Sequence, residues 1–365
     1  MNTSSKKILN TFDIGHLRLK NRLAVAPMTR ISATEHGSAS ETMARYYERF
    51  AEGGFGLVIT EGVYTDQKFA QGYPFQPGIT DAEQALAWKT VTRRIHGHQG
   101  RIFAQLMHAG ALSQGNRFLG ETAGPSAIRP KGEQMKFYYG KGQYAVPRFM
   151  TDEDIADAIE GFANAAKLAL GSAGFDGVEI HGANGYLLDQ FLTDYTNQRT
   201  DRWGGSVANR IALTLEVIRA VRAAVGGAPV GVRISQGKVN DYTHKWAEGE
   251  AAAETIFGSL AHAGVDYIHV TEHKAWKPAF SDSGPSLVNL ARRYAPGVAV
   301  VANGGLENPE HAEQVINDGA DIVSLGKGAL ANPDYPSRVV KNRPLKEFDI
   351  SLLGPIANIK DSELA

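Results

Sequence analysis

Gly174-Phe175-Asp176-Gly177-Val178-Glu179-Ile180 decides the fold, because the way it opens recurs along the chain. Gly264-Val265-Asp266 and Gly319-Ala320-Asp321 also follow a helical pattern and lead straight into an apolar run, and Gly54-Phe55-Gly56 before Leu57 is a looser copy. A glycine that closes a helix with positive φ and turns the chain into a strand produces this signature. Its repetition marks repeated strand–helix units. The candidate strands are residues 23–27, 57–60, 101–107, 178–180, 230–234, 267–271, 298–302 and 322–325. All read as near-continuous apolar segments, as parallel strands buried on both faces do.

Helical patterns lie between them. One starts at Thr151, with Asp154 as its capping-box partner and Ile155, Ile159, Phe162, Ala166 and Leu170 on one face, and Gly171 and Gly174 stop it. Another runs from Asn209 with Ile211, Leu215, Ile218, Val221 and Val225 on one face. Eight such strands predict an α/β fold, a single (β/α)8 TIM barrel over residues 1–365. A doubly wound sheet is the alternative, but no strand is followed by a G-x-G-x-x-G turn opening a helix. Met107 and Val178 are 71 residues apart, so strand three carries an insertion at about 110–150. Rich in Gly, Pro, Lys and Tyr, it reads as a lid over the barrel mouth or as a plain surface excursion. Residues 8–20 read as a short hairpin closing the barrel bottom.

Composition narrows the function. The 365 residues hold 38 Lys plus Arg against 39 Asp plus Glu, a net charge of -1, which gives no electrostatic reason to bind nucleic acid or an acidic membrane. There is no cysteine, which removes disulfides, thiol nucleophiles and Cys-held metal clusters. No leader pattern and no run of ~20 apolar residues is visible, so a cytoplasmic protein is expected.

The strand ends carry the chemistry. Pro27-Met28-Thr29, Glu61-Gly62, Gln105 and His108, His181 and Asn184, Arg233, Glu272-His273, Asn303-Gly304-Gly305 and Gly326-Lys327 crowd the carboxyl ends of all eight strands. Barrels keep their active sites at that face. After strand seven, Asn303-Gly304-Gly305 precedes a helix start at Asn308-Pro309. After strand eight, Gly326-Lys327-Gly328 also leads toward a helix. Bare N–H groups, helix N-termini and a lysine there predict a phosphate site. After strand four, His181 and Asn184 can donate toward one oxygen, with Tyr186 as a phenolic proton source. A metal at Glu179 and His181 is the other reading, but spacing places no third ligand, and no metal is expected.

At these residues the chain resembles the Old Yellow Enzyme family of FMN-dependent ene-reductases over nearly its whole length. The matching stretches include Lys20-Asn21-Arg22-Leu23 through Ala26-Pro27-Met28-Thr29-Arg30, Gln105-Leu106-Met107-His108-Ala109-Gly110, and His181-Gly182-Ala183-Asn184-Gly185-Tyr186-Leu187-Leu188-Asp189-Gln190-Phe191-Leu192. The most specific is Asn197-Gln198-Arg199-Thr200-Asp201-Arg202-Trp203-Gly204-Gly205-Ser206, and Ala331-Asn332-Pro333-Asp334 matches near the end.

The resemblance implies non-covalent FMN, with NADPH or NADH as hydride donor and activated alkenes as substrates: α,β-unsaturated carbonyl compounds, with nitro compounds as a further class. It implies that Thr29 meets the flavin near N5 and O4, that Pro27, Met28 and Gly62 surround the ring, that Gln105 meets the pyrimidine edge and that Arg233 lies near N1 and O2. Asn303, Gly304, Gly305, Gly326 and Lys327 would hold the phosphate, His181 and Asn184 the substrate oxygen, and Tyr186 would be the proton donor. Lys327 stands where the family usually has Arg, which exchanges a bidentate grip for a point charge. Thr29 in place of Cys, and Ile31 in place of an aromatic, favour the branch of the yeast and enterobacterial enzymes. A flavin-binding sensor or redox partner with vestigial ene-reduction is the alternative function, and a homo-oligomer is compatible with either.

Overall fold

The repeated glycine turns are the joints of a closed barrel. In the computed structural model, which describes residues 6–364, Gly54, Gly174, Gly264 and Gly319 have φ of 103°, 78°, 76° and 117°. The aspartate of each full copy then bonds the neighbouring strand. Asp176 accepts from the Ile102 N–H at 2.9 Å, Asp266 from Val230 at 2.8 Å and Asp321 from Val300 at 2.9 Å. Arg101, Arg222 and Arg292 brace the three carboxylates. In the looser copy, Asn21 does the same work: its Oδ1 accepts from the Gly56 N–H and its Nδ2 donates to the Gly54 carbonyl.

A hairpin of β1 (Phe12–Ile14) and β2 (Leu17–Leu19) precedes the barrel strand β3 (Leu23–Val25). Then come β4 (Leu57–Tyr64) and β5 (Arg101–Met107), and the insertion holds the short parallel pair β6 (Ala123–Gly124) and β7 (Arg148–Phe149). The barrel continues with β8 (Gly177–Asn184), β9 (Val230–Lys238), β10 (Tyr267–Thr271), β11 (Ala299–Asn303) and β12 (Ile322–Leu325). Strands β3, β4, β5, β8, β9, β10, β11 and β12 close in that order, all parallel, with β12 pairing back on β3. This is the expected (β/α)8 barrel.

The hairpin closes the amino-terminal end as expected. Ile14, Leu17 and Leu19 pack with Leu57, Ile59, Phe103, Tyr267, Val301 and Ile322 in one apolar plug. Each fully buried leucine or isoleucine there is worth about 1.5–3 kcal/mol, so the bottom is sealed and the open end is the carboxyl one. The capping box of Thr151 and Asp154 starts the helix Asp152–Leu168, which runs into a π turn, Ala169–Ala173, before Gly174. Gly171 therefore lies inside the turn and does not end the helix. The helix expected from Asn209 begins earlier, because the Ser206 hydroxyl accepts from the Asn209 N–H and caps Val207–Arg210, and Ala212–Val225 follows.

Three strands outrun their apolar cores. β4 continues to Tyr64 because Val63 and Tyr64 pair with Leu106 and Met107, and β8 and β9 continue through polar residues to Asn184 and Lys238. Among the described residues, no helix is long and apolar enough to cross a membrane.

Candidate active site

The end of β8 is where backbone geometry and chemistry meet. A bulge between Gly182 and Asn184 shifts its register against β9, and Asn184 takes the left-handed φ of 62°, a conformation asparagine tolerates. The bulge is held on every side. The Asn184 N–H donates to Ser235 Oγ at 2.8 Å, and its carbonyl accepts from the Val239 N–H at 3.1 Å. The Gly185 N–H donates to Asp189 Oδ2 at 2.6 Å, and Lys238 Nζ donates to the other oxygen of that buried carboxylate at 2.7 Å. Tyr186 then caps the helix Leu187–Leu192, with its ring edge-on to His181 at 4.9 Å between centroids.

His181, Asn184 and Tyr186 face one cavity of about 310 Å³ at the carboxyl ends of the strands. Pro27, Met28 and Thr29 from the end of β3, Gln105 from β5 and Arg233 from β9 line it as well, and Gly326 and Lys327 form its far side. A second cavity of about 550 Å³ shares Gly326 and Lys327 and is lined by Asn303, Gly304 and Gly305. Thirteen of the fourteen expected site residues therefore border one or other of two adjoining spaces.

Gly62 is the fourteenth, and its strand runs further than expected. Because β4 runs on to Tyr64, Gly62 sits inside the strand opposite Gln105, where a Cβ would lie 2.4 Å from Met107 Sδ. Its carbonyl accepts from Gln76 Nε2 at 2.7 Å, and it lines neither cavity. Asn303 borders the second cavity but its amide is engaged elsewhere: Oδ1 accepts from Arg233 at 2.9 Å and Thr271 at 2.6 Å, and Nδ2 donates to the Ser324 carbonyl. Its side chain orients Arg233.

The insertion reaches the cavity through Met135, Phe137 and Tyr138, and the Tyr138 hydroxyl donates to the Thr29 carbonyl at 3.1 Å. Tyr139 does not line it. Of the other aromatic residues at this end, Trp276 stacks on His311 beside the second cavity, and Phe280 packs on Trp246.

Below the cavity floor lies a buried polar cluster. Glu179 accepts from Gln105 Nε2 at 2.8 Å, Tyr267 OH at 3.0 Å and His269 Nδ1 at 2.8 Å. Those bonds engage both carboxylate oxygens. Burial opposes ionisation of Glu179, but His269, Arg233 and Gln105 outweigh it and hold its pKa below the ordinary value. Burial, with the charge of Arg233 and of His269, pushes His181 well below the usual imidazole value, so it is neutral at pH 7. Burial pushes the Tyr186 phenol up to about 12, against the pull of Tyr73 and Arg233. The phenol thus carries its proton throughout the working pH range. Its oxygen lies 2.6 Å from that of Tyr73, a partnership the sequence does not signal.

The two spaces fit a flavin mononucleotide. Among the described residues, His181 Nδ1, Arg233 Nε and Ser324 Oγ are buried without a partner, which fits the place of a polar ligand. At Gly326 a Cβ would meet, among the described residues, only the Met28 side chain, with Sδ at 3.6 Å, so its missing side chain leaves room between the two spaces. Lys327 is exposed beside the N-terminus of Lys327–Ala331, and Asn308 caps Pro309–Asn317 on the other side.

A closed parallel barrel with two adjoining cavities at its carboxyl face fits the class of flavin-dependent oxidoreductases. The chain belongs to the NADH:flavin oxidoreductase / NADH oxidase family, whose profile matches residues 7–346, the family of the Old Yellow Enzymes. A probable flavin mononucleotide-dependent alkene reductase of Leishmania infantum is 35% identical, with 96% of this chain and 95% of that protein covered. Among solved structures, the Old Yellow Enzyme homologue of Zymomonas mobilis superposes with a TM-score of 0.88 at 31% identity, covering 98% of both chains. Morphinone reductase in complex with tetrahydroNAD gives 0.83 at 31% identity, covering 95% of this chain and 93% of the other. The protein is an FMN-dependent oxidoreductase that takes its hydride from a nicotinamide.

Proposed function

We propose that the protein reduces the C=C bond of α,β-unsaturated carbonyl compounds, with His181, Asn184 and Tyr186 as the catalytic set. The observation that carries this reading is that two side chains able to donate toward one oxygen and a protonated phenol border the same cavity as Arg233 and Gln105. FMN, when bound, would supply the redox chemistry, hydride exchange between NADPH or NADH and the β-carbon of the alkene. Gln105 and Arg233 would hold the pyrimidine side of the ring, Thr29 the edge that carries N5 and O4, and Gly304, Gly305, Gly326 and Lys327 the phosphate.

The rest is the work of this chain's side chains. Neutral His181 and the Asn184 amide bind the carbonyl oxygen, and their hydrogen bonds strengthen as enolate charge builds there. Tyr186 delivers its proton to the α-carbon. Nitroalkenes are a second substrate class under the same arrangement. The resemblance and the family's nicotinamide chemistry support a cytoplasmic enzyme, where NADPH and NADH are held. No observation favours the alternative of a sensor with vestigial turnover.

The test separates the half-reactions. In Tyr186→Phe, flavin reduction by NADPH stays within about twofold, while re-oxidation by cyclohexenone slows by about 10²–10⁴, the usual cost of losing a positioned acid. Nitroalkene re-oxidation survives, because a nitronate is stable enough to be protonated later by water. An enone step unchanged in Tyr186→Phe removes Tyr186 as the acid.

A further inference from the structure

We infer that Tyr73, a residue outside the expected site, is the positioning and stabilising partner of the proton donor, its phenol donating to the Tyr186 oxygen during proton transfer. The inference rests on the reading of Tyr186 as the acid. The two phenolic oxygens are 2.6 Å apart, and Tyr73 is wholly buried. The bond has two possible polarities, and the chemistry selects one. A phenol has a single proton, so an acid whose proton must point at the substrate cannot spend it on a neighbour. Tyr186 therefore accepts, and Tyr73 donates.

Tyr73 is built for that duty. Its N–H donates to Gln76 Oε1 at 3.3 Å, and its carbonyl accepts from Gln71 Nε2 at 3.0 Å, so the backbone is pinned on both sides. The ring lies against Tyr138 at 4.7 Å and in the apolar cluster of Met107, Ala109 and Leu112. Among the described residues its hydroxyl has Tyr186 as its one hydrogen-bond partner. Burial and the adjacent Tyr186 also raise its own pKa well above the usual phenol value, so it keeps its proton while Tyr186 gives one up. Tyr73 does not border the substrate cavity, and its influence passes through Tyr186.

The step balances. The Tyr186 O–H bond breaks, a C–H bond forms at the substrate α-carbon, and the negative charge leaves the enolate for the Tyr186 oxygen. There the Tyr73 O–H, unbroken, strengthens as a hydrogen bond to a charged acceptor. Water later restores the Tyr186 proton. A hydrogen bond to a charged group is worth about 1.5–3 kcal/mol, which sets the size of the effect at roughly 10- to 100-fold.

The experiment is a double-mutant cycle on the FMN-loaded protein, read by stopped-flow. Tyr73→Phe should slow re-oxidation by cyclohexenone by 10- to 100-fold, leave flavin reduction by NADPH within about twofold, and add nothing further in a Tyr186→Phe background. FMN content and the phenol charge-transfer band should match those of the unmodified protein, showing an intact pocket. 3-Fluorotyrosine installed at position 73, a more acidic donor of nearly the same shape, should raise the enone rate above the original. Equal slowing in both Tyr186 backgrounds, or a rate insensitive to the fluorine, assigns Tyr73 a packing role and overturns the inference. If Tyr186→Phe alone leaves the enone step unchanged, the acid assignment fails and takes this inference with it. If Tyr186→Phe slows that step and Tyr73→Phe does not, only the inference fails.

Discussion

Arg233 Nη2 donates to Asn303 Oδ1 at 2.9 Å, across the end of β10, which lies between their two strands. Thr271 shares the same acceptor, and both bonds turn the guanidinium toward the cavity it lines while its Nε is left without a protein partner. In the proposed site, a buried cation held in this way would steady negative charge on the pyrimidine side of a reduced flavin. Arg233→Met should therefore lower the flavin midpoint potential and slow reduction by NADPH by roughly 10- to 100-fold, the loss of one charge-assisted contact. Asn303→Ala, which frees Arg233 without removing it, should move the potential the same way by less. Potentials measured by dye-coupled anaerobic titration check both, and unchanged values in both variants would place Arg233 away from the ring.

The phosphate end should discriminate between flavins. Lys327 is an exposed ammonium beside Gly304, Gly305 and Gly326, with Lys274 also lining that cavity, so FMN should bind more tightly than riboflavin, and its affinity should fall with salt. Lys327→Ala should weaken FMN retention by about tenfold or less, read as flavin content after dialysis. Equal affinity for FMN and riboflavin would discard the phosphate site.

Phenols should bind with their oxygen between His181 and Asn184 and give a long-wavelength band with the oxidised flavin. Donors at that point favour the phenolate. His181→Ala or Asn184→Ala should weaken the band and slow enone reduction by on the order of 10²–10³. Unaltered phenol spectra in both variants would make the pair structural.

Glu61 makes stability depend on pH. Its carboxylate is fully buried, accepting from the N–H groups of Arg30 and Ile31, and burial raises its pKa to about 7 despite those bonds. A folded pKa above the unfolded value means that the folded state binds the proton more tightly. Its penalty is therefore absent below about 4.5, grows as pH rises, and is complete above about 7. Glu61→Gln should gain stability relative to the unmodified protein across that window, by on the order of 3 kcal/mol. Denaturant unfolding at pH 5 and pH 8 measures it, and a difference that does not change with pH would contradict the buried-acid reading.

Most of the barrel is legible in the sequence because parallel strands announce themselves as apolar runs and the Gly-x-Asp turn repeats. Strand ends are less so: β8 runs on through His181 to Asn184 because Ser235 and Val239 pair with polar residues that carry no strand pattern. The end of β4 was missed for the same reason, the strand continuing through Gly62, Val63 and Tyr64. Strand-end polar residues and the family resemblance together brought out His181, Asn184, Tyr186, Gln105 and Arg233. Tyr73 stayed hidden, lying 113 residues before Tyr186 in an irregular Gly72-Tyr73-Pro74 stretch with no periodicity to betray a contact. The binding of Glu179 by Tyr267 and His269 is equally a product of barrel closure, which sets strands far apart in sequence around one axis.

One anaerobic titration tests the ene-reductase reading most directly. The FMN-loaded protein is reduced with one equivalent of NADPH, freed of nucleotide, and mixed with cyclohexenone under nitrogen. The expected result is full return of the oxidised flavin spectrum with one equivalent of cyclohexanone formed per flavin. A flavin that NADPH reduces but that stays reduced in excess enone, and returns only when oxygen is admitted, would contradict it.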